Sequence, residues 1–325
     1  MDRRNERSFA HIFHFHRFTL FTTPKCPHLY NIHIFSFLQS SLLFGRRQVY
    51  NNDSLYKEAT TITTDIIRQT SRWRGKGFSW FESGQGYPLV FLHGGGGTGK
   101  AFWHQIQYFS PSFRVIAPDM PGFGQSEWID DVTSVEHIPH VLQRWFEILN
   151  ISQCILGGNS MGGRVALSFA AHYPHMVSAL IILDSVGVNL PGVPIINPLT
   201  LPPDQFMSGL VHDPQRYREF TPYRTLDDAK ELNRGRQSFA KYLGSQGIVP
   251  DPDQNLNQIT MPTLLIWGRE DRIIPLEYGK ALEKALPDAE LVVFDGVGHL
   301  PHIEAPQLTN RSIAHFLERR LPQVF

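Results

Sequence analysis

The chain has 325 residues, room for two domains of about 150 residues or for one α/β domain carrying an insertion. Apolar residues make up 42% and charged ones 18%, with 30 Lys+Arg against 30 Asp+Glu, which excludes a disordered polyelectrolyte and argues against a general nucleic-acid binder. The two cysteines, Cys26 and Cys154, are too few for a disulfide framework. The nearest approach to a membrane span, Ile32 to Phe44, is broken by Ser36, Gln39, Ser40 and Ser41 and falls short of the roughly 20 apolar residues a bilayer requires. A cytoplasmic protein without a membrane partner is the expectation.

Residues 1–52 are a different kind of sequence. They hold seven Lys/Arg against two acids, net +5, so the remainder of this formally neutral chain carries −5. They also hold eight of the 23 Phe and five of the 15 His, with no sustained period. A basic, acid-poor, Ser/Thr-containing start fits an organelle-targeting leader or a nonfunctional extension. His11, His14 and His16 lack the Cys or carboxylate that would complete a metal site, so a solvated tail is expected.

From about residue 70 short β-rich runs alternate with helical stretches. The runs are Phe78 to Glu82, Leu89 to Leu92, Val115 to Ala117, Cys154 to Leu156, Leu180 to Leu183, Leu264 to Trp267 and Leu291 to Phe294. Helical period marks Val135 to Leu149 and Met161 to Tyr173. The alternation predicts a mostly parallel sheet with helices on both faces. Most later runs are apolar throughout, as interior strands covered on both faces are. Between Val186 and about Gln258 the rhythm fails among Pro191, Pro194, Pro198, Pro202, Pro203, Pro214 and Pro222, and the one good helical candidate is Leu226 to Leu243. Residues 186–258 are therefore read as a cap inserted into a core of residues 70–185 and 259–325.

Gly158-Asn159-Ser160-Met161-Gly162-Gly163 directly follows an apolar run and precedes a helical stretch, the strand–turn–helix setting of a G-x-S-x-G elbow. Small neighbours let the backbone turn sharply and expose Ser160 at a helix N-terminus, where developing negative charge is favoured. A glycine-rich turn with a capping serine is the plain alternative. A serine nucleophile needs a base, and His299, in the loop after the last strand run, lies at the sheet end where catalytic loops collect. His302 is expected to pack that loop, and His172 and His175 to be structural. Asp271, immediately past the strand Leu264 to Trp267, is the acid expected to orient the imidazole, with Glu270 as rival and Asp119 read as a turn former. The order Ser, Asp, His is that of α/β-hydrolases. His93 followed by Gly94 to Gly97 offers bare backbone N–H groups, so Gly95 and Met161 are the expected oxyanion donors. The same glycines start an apparent P-loop ending at Lys100, but Ala101 stands where Ser or Thr would hold Mg²⁺.

HGGGGTG at 93–99, DMPGFGQS at 119–126, GNSMGG at 158–163, WGREDRIIP at 267–275 and GVGHLPHIE at 296–304 resemble the α/β-hydrolase superfamily over about residues 70–320. Within it they look most like the carbon–carbon bond hydrolases that cleave ring-fission (meta-cleavage) products of aromatic compounds. The resemblance implies an α/β-hydrolase fold with a helical cap, no cofactor, hydrolysis of a vinylogous diketone, and assistance by His299 in ketonisation. It also implies substrate-binding roles for Gly94, for Asn159 beside the nucleophile and for Arg236 in the cap, which would meet an acidic substrate end. Gln237 departs from the tryptophan that usually follows that arginine. Arg164 is similar to the menaquinone-pathway enzyme that eliminates pyruvate, and for Arg164 and Arg236 alike a solvated helix arginine is the ordinary alternative. The expected protein is a serine hydrolase acting on a small organic molecule, with homo-oligomerisation open. A carboxylesterase, a triad lyase and a noncatalytic ligand-binding homologue are the alternatives.

Overall fold

The central apolar strand runs feed two cores at once. The computed structural model describes residues 65–244, 247 and 255–324. The readings of residues 1–52, including Cys26 and the three histidines, lie outside the described residues. In chain order the elements are β1 (Ile67–Trp73), β2 (Lys76–Ser83), β3 (Tyr87–Leu92), α1 (Trp103–Phe109), β4 (Phe113–Pro118), α2 (Ile138–Ile148), β5 (Cys154–Asn159), α3 (Met161–His172) and β6 (Val177–Leu183). Then come α4 (Pro203–Leu210), α5 (Pro214–Phe220), α6 (Leu226–Leu243), β7 (Thr263–Gly268), α7 (Leu276–Ala285), β8 (Ala289–Phe294), α8 (Pro301–Glu304) and α9 (Pro306–Arg320). The strands form one sheet in the order β1-β2-β4-β3-β5-β6-β7-β8. β1–β2 and β2–β4 are antiparallel and the remaining pairs parallel.

Alternate residues of the central strands enter opposite cores, which explains why those strands read as unbroken apolar runs. Val90, Leu92, Leu156, Ile182, Leu265 and Trp267 pack on the side of α2, α3 and α7. Leu89, Phe91, Ile155, Ile181, Leu264 and Ile266 pack on the side of α1 and α9. The run Leu291 to Phe294 departs from the interior expectation: β8 is an edge strand, half-buried until Phe294.

β1 escapes the sequence pattern because IRQTSRW is polar and largely exposed. Its hairpin to β2 turns at Arg74 and Gly75, both at positive φ, the backbone of a two-residue hairpin turn. In the proline-rich stretch between β6 and β7, Pro203 and Pro214 open helices rather than prevent them, since a first-turn proline lacks only an N–H that would find no helical acceptor. Asp213 caps α5 by accepting from the N–H groups of Gln215 and Arg216. α6 runs over Leu226–Leu243 as predicted, started by a capping box between Thr225 and Asp228. It docks through Ser238 and Tyr242, which donate to the carbonyls of Gly122 and Pro121 at 2.6 and 3.0 Å. Among the described residues no helix is long and apolar enough to cross a membrane.

Candidate active site

β5 ends at Asn159 and α3 begins at Met161, leaving Ser160 alone in the turn with φ 54° and ψ −118°. A positive φ is costly for a residue with a Cβ and persists only where the surroundings impose it. Here the Ser160 N–H donates to the Leu183 carbonyl at 2.9 Å, while the Ser160 carbonyl accepts from Ser185 Oγ at 2.7 Å. The chain packs so closely here that a Cβ on Gly158 at the end of β5 would sit 2.4 Å from the Gly162 carbonyl carbon in α3, and one on Gly162 would sit 2.1 Å from the carbonyl oxygen of Leu92 at the end of β3. The glycines flanking Ser160 are thus required by packing, not only by the turn. As the first helical residue, Met161 has an N–H with no intrahelical acceptor.

His299 lies in the loop between β8 and α8 and is 3% exposed. Its backbone N–H donates to Leu210 at the end of α4 at 2.9 Å, and its carbonyl accepts from Asn159 Nδ2 at 3.0 Å. Its ring Nδ1 lies 2.8 Å from Asp271 Oδ2, so the carboxylate places the ring proton on Nδ1 and leaves Nε2 free to accept one. Asp271 Oδ1 in turn accepts from the N–H groups of Ile273 and Ile274 at 2.8 and 3.1 Å. Glu270, the rival acid, points elsewhere: its Oε2 accepts from the Val297 N–H at 3.1 Å. The two adjacent acids divide the work, one holding the imidazole and the other the loop that carries it.

After β3, the buried His93 ring accepts the Met120 N–H on Nε2 at 3.0 Å, so its Nδ1 bears the proton and donates to the Gly94 carbonyl at 2.9 Å. Burial holds this ring neutral, its pKa below the ordinary value. The Gly94 carbonyl also accepts from the Gly97 N–H at 3.1 Å, which folds the glycine loop into a turn. A Cβ at Gly95 would lie 2.4 Å from the Phe239 ring on α6, and one at Gly94 would lie 2.8 Å from Asn159 Oδ1.

Gly94, Gly95, Asn159, Ser160, Arg236 and His299 line one cleft enclosing ≈ 910 Å³, open solvent at its mouth included. Leu199, Phe206, Met207, Leu210 and Phe239 supply apolar walls from the segment between β6 and β7. Ser160 also borders a smaller recess with Met161, Val135, Arg164 and Val186. Arg236 is exposed, its guanidinium carbon 5.9 Å from the Phe206 ring centroid. Arg164, by contrast, is not a solvated helix arginine: it is 6% exposed and ion-paired with Glu136.

His302 packs the loop as expected, stacked on Phe102 with centroids 4.6 Å apart, and it also borders the cleft, with burial pushing its pKa down to about 3. His172 is structural, its Nδ1 2.8 Å from the Ser168 carbonyl oxygen. Asp119 is more than a turn former. Fully buried, it accepts from Ser79 Oγ at 2.6 Å and from the N–H groups of Gly99 and Gln125 at 2.8 and 3.1 Å. It ties the glycine loop to the loop under α6. Glu304 is a second buried carboxyl missed in the sequence. It accepts from the N–H groups of Gly298, His212 and Asp213 at 3.0, 2.8 and 3.1 Å, and burial raises its pKa to about 7.

A mostly parallel sheet with a serine elbow at the carboxyl end of its central strand defines an α/β-hydrolase-type enzyme. A sequence profile described as "Alpha/beta hydrolase family" matches residues 89–311, and the chain belongs to that family. It is 33% identical over 248 residues, 70% of this chain and 86% of the relative, to the 2-hydroxy-6-oxononadienedioate/2-hydroxy-6-oxononatrienedioate hydrolase of Paraburkholderia phymatum. It is 30% identical over 259 residues, 73% of this chain and 89% of the relative, to the 2-hydroxy-6-oxo-6-phenylhexa-2,4-dienoate hydrolase of Burkholderia cepacia. The solved structure of the 2-hydroxy-6-oxo-6-phenylhexa-2,4-dienoate hydrolase of Rhodococcus sp. strain RHA1 aligns over 79% of this chain and all of its own, with a TM-score of 0.67 at 24% identity. The protein is a hydrolase of the α/β fold, similar to meta-cleavage-product hydrolases.

Proposed function

We propose that the chain is a serine hydrolase cleaving a carbon–carbon or ester bond next to a carbonyl in a small organic acid, with residues 186–258 acting as a substrate cap. Ser160 Oγ attacks the carbonyl carbon while His299 Nε2 takes its proton, and Asp271 keeps the ring in the tautomer that can do so. Negative charge on the carbonyl oxygen is met by the N–H groups of Gly95 and Met161, each donor being worth about 3 kcal/mol in the transition state. His299 returns the proton to the leaving atom, and water then releases the acyl group from Ser160. For a carbon leaving group the charge must be delocalised, so a conjugated ketone is the fitting substrate. Gly94 and Asn159 line the reacting end, and Arg236 meets the acid group.

The observation that carries this reading is the 2.8 Å bond from His299 Nδ1 to Asp271 Oδ2 in a cleft that also contains Ser160. The apolar cleft walls with an exposed arginine support an apolar acid as substrate class, as do the names of the relatives. The test is turnover of a 2-hydroxy-6-oxo-dienoate beside a series of p-nitrophenyl acyl esters, with fluorophosphonate labelling of Ser160. Preference for the dienoate with labelling lost in Ser160→Ala supports the proposal. Preference for esters makes the protein a carboxylesterase, and a folded protein that neither labels nor turns over is a binding homologue.

A further inference from the structure

Asp184 stands one residue past β6, at the same end of the sheet as Ser160, and is fully buried at φ 44°. Its N–H donates to the Ile266 carbonyl at 3.1 Å, and its Oδ1 accepts from the Gly268 N–H at 2.9 Å. Its other oxygen, Oδ2, is buried without a donor from the protein. A carboxyl oxygen of Asp184, one of Asp271 and a ring nitrogen of His299 all lie within 4.8 Å of one another.

Two carboxylates this close in a buried site do not both ionise. The donors decide which one keeps the charge. Asp271 receives three, from the Ile273 and Ile274 N–H groups and from His299 Nδ1, whereas Asp184 receives one, from Gly268. A proton on Asp184 also converts its orphaned oxygen from an unsatisfied acceptor into a donor. We propose that Asp184 is a positioning residue that stands as a neutral carboxylic acid and donates a hydrogen bond to the Asp271 carboxylate behind His299. Its pKa lies well above the carboxylate range, raised by burial and by the Asp271 charge, in keeping with that state. The ionisable groups facing it are Asp271 after β7, His299 after β8 and Glu304 on α8.

The donated bond withdraws charge from Asp271 and so tempers how strongly Asp271 stabilises a protonated His299. The role rests on the proposed hydrolase mechanism, but the protonation state can be tested without turnover. In the infrared difference spectrum of wild-type protein against Asp184→Asn at neutral pH, the carbonyl stretch of a protonated carboxylic acid is expected in the wild type and lost in the variant. A difference spectrum without that band overturns the assignment, whatever the substrate proves to be. In kinetics, Asp184→Ala leaves Asp271 without its donor, so kcat/KM falls by about tenfold or more and its acidic limb moves to higher pH. Asp184→Asn restores a donor and is expected to recover most of that loss. If the asparagine variant falls as far as the alanine variant, or if a folded alanine variant shows no change in the limb, the positioning role is wrong. Should the alanine variant fail to fold, the infrared band and the asparagine kinetics decide.

Discussion

Asp271 and Glu270 are neighbours of the same charge, yet one accepts from the His299 ring and the other from a backbone N–H of the loop. On the proposed mechanism Asp271→Asn loses kcat by about 10⁴, because the amide no longer selects the reactive tautomer. Glu270→Gln, measured beside it, is expected to lose less than about tenfold, since the amide oxygen still accepts the Val297 N–H. Equal losses in steady-state assays would reassign the acid. Ser160→Ala is expected to lower turnover by roughly 10⁶, and only a mild loss would move the chemistry to another group. Ser160, Asp271 and His299 were legible as residues in the sequence because each follows an apolar strand run. Asp184, Asp119 and Glu304 were not, although Asp184 too follows such a run, because their roles come from donors contributed by distant segments.

At the scale of elements, the helices between β6 and β7 both wall the cleft and hold the histidine loop. Arg236 on α6 is exposed at the cleft, so its attraction for a substrate carboxylate is screened. Arg236→Ala is therefore expected to raise KM for a carboxylate substrate by about three- to tenfold while leaving a neutral p-nitrophenyl ester unaffected. A change of KM for both would point to lost packing against Phe206 instead. α5 depends on its cap: Asp213→Ala removes the acceptor for two N–H groups and is expected to cost about 1 kcal/mol in denaturant unfolding. α6 was readable as the one good helical candidate of its proline-rich stretch. α4 and α5 were not, because a proline in the sequence does not reveal whether it lies in a loop or opens a helix.

For the molecule as a whole, Glu304 joins the segment between α4 and α5 to the loop of His299, tying two distant stretches of chain together. Its pKa, raised to about 7 by burial, exceeds the unfolded value of roughly 4.3, so the folded state binds the extra proton in that window. This contribution to stability is complete below about pH 4.3 and is lost as pH rises through about 7. Thermal melts of wild type and Glu304→Gln across that range are expected to show the variant gaining relative to wild type as pH rises, by about 2–4 kcal/mol. A constant difference between the two would contradict this. The amino-acid sequence by itself determined the alternation of covered strands and helices, the serine elbow and the order Ser, Asp, His, because those features depend on local apolar period and on which residue follows each strand. Only the tertiary structure decided which acid meets the imidazole, that β8 is an edge, that Arg164 is buried, and that Asp119, Asp184 and Glu304 are interior carboxyls. Each of those outcomes depends on which distant backbone N–H groups and side chains arrive beside a residue, and local sequence does not encode that.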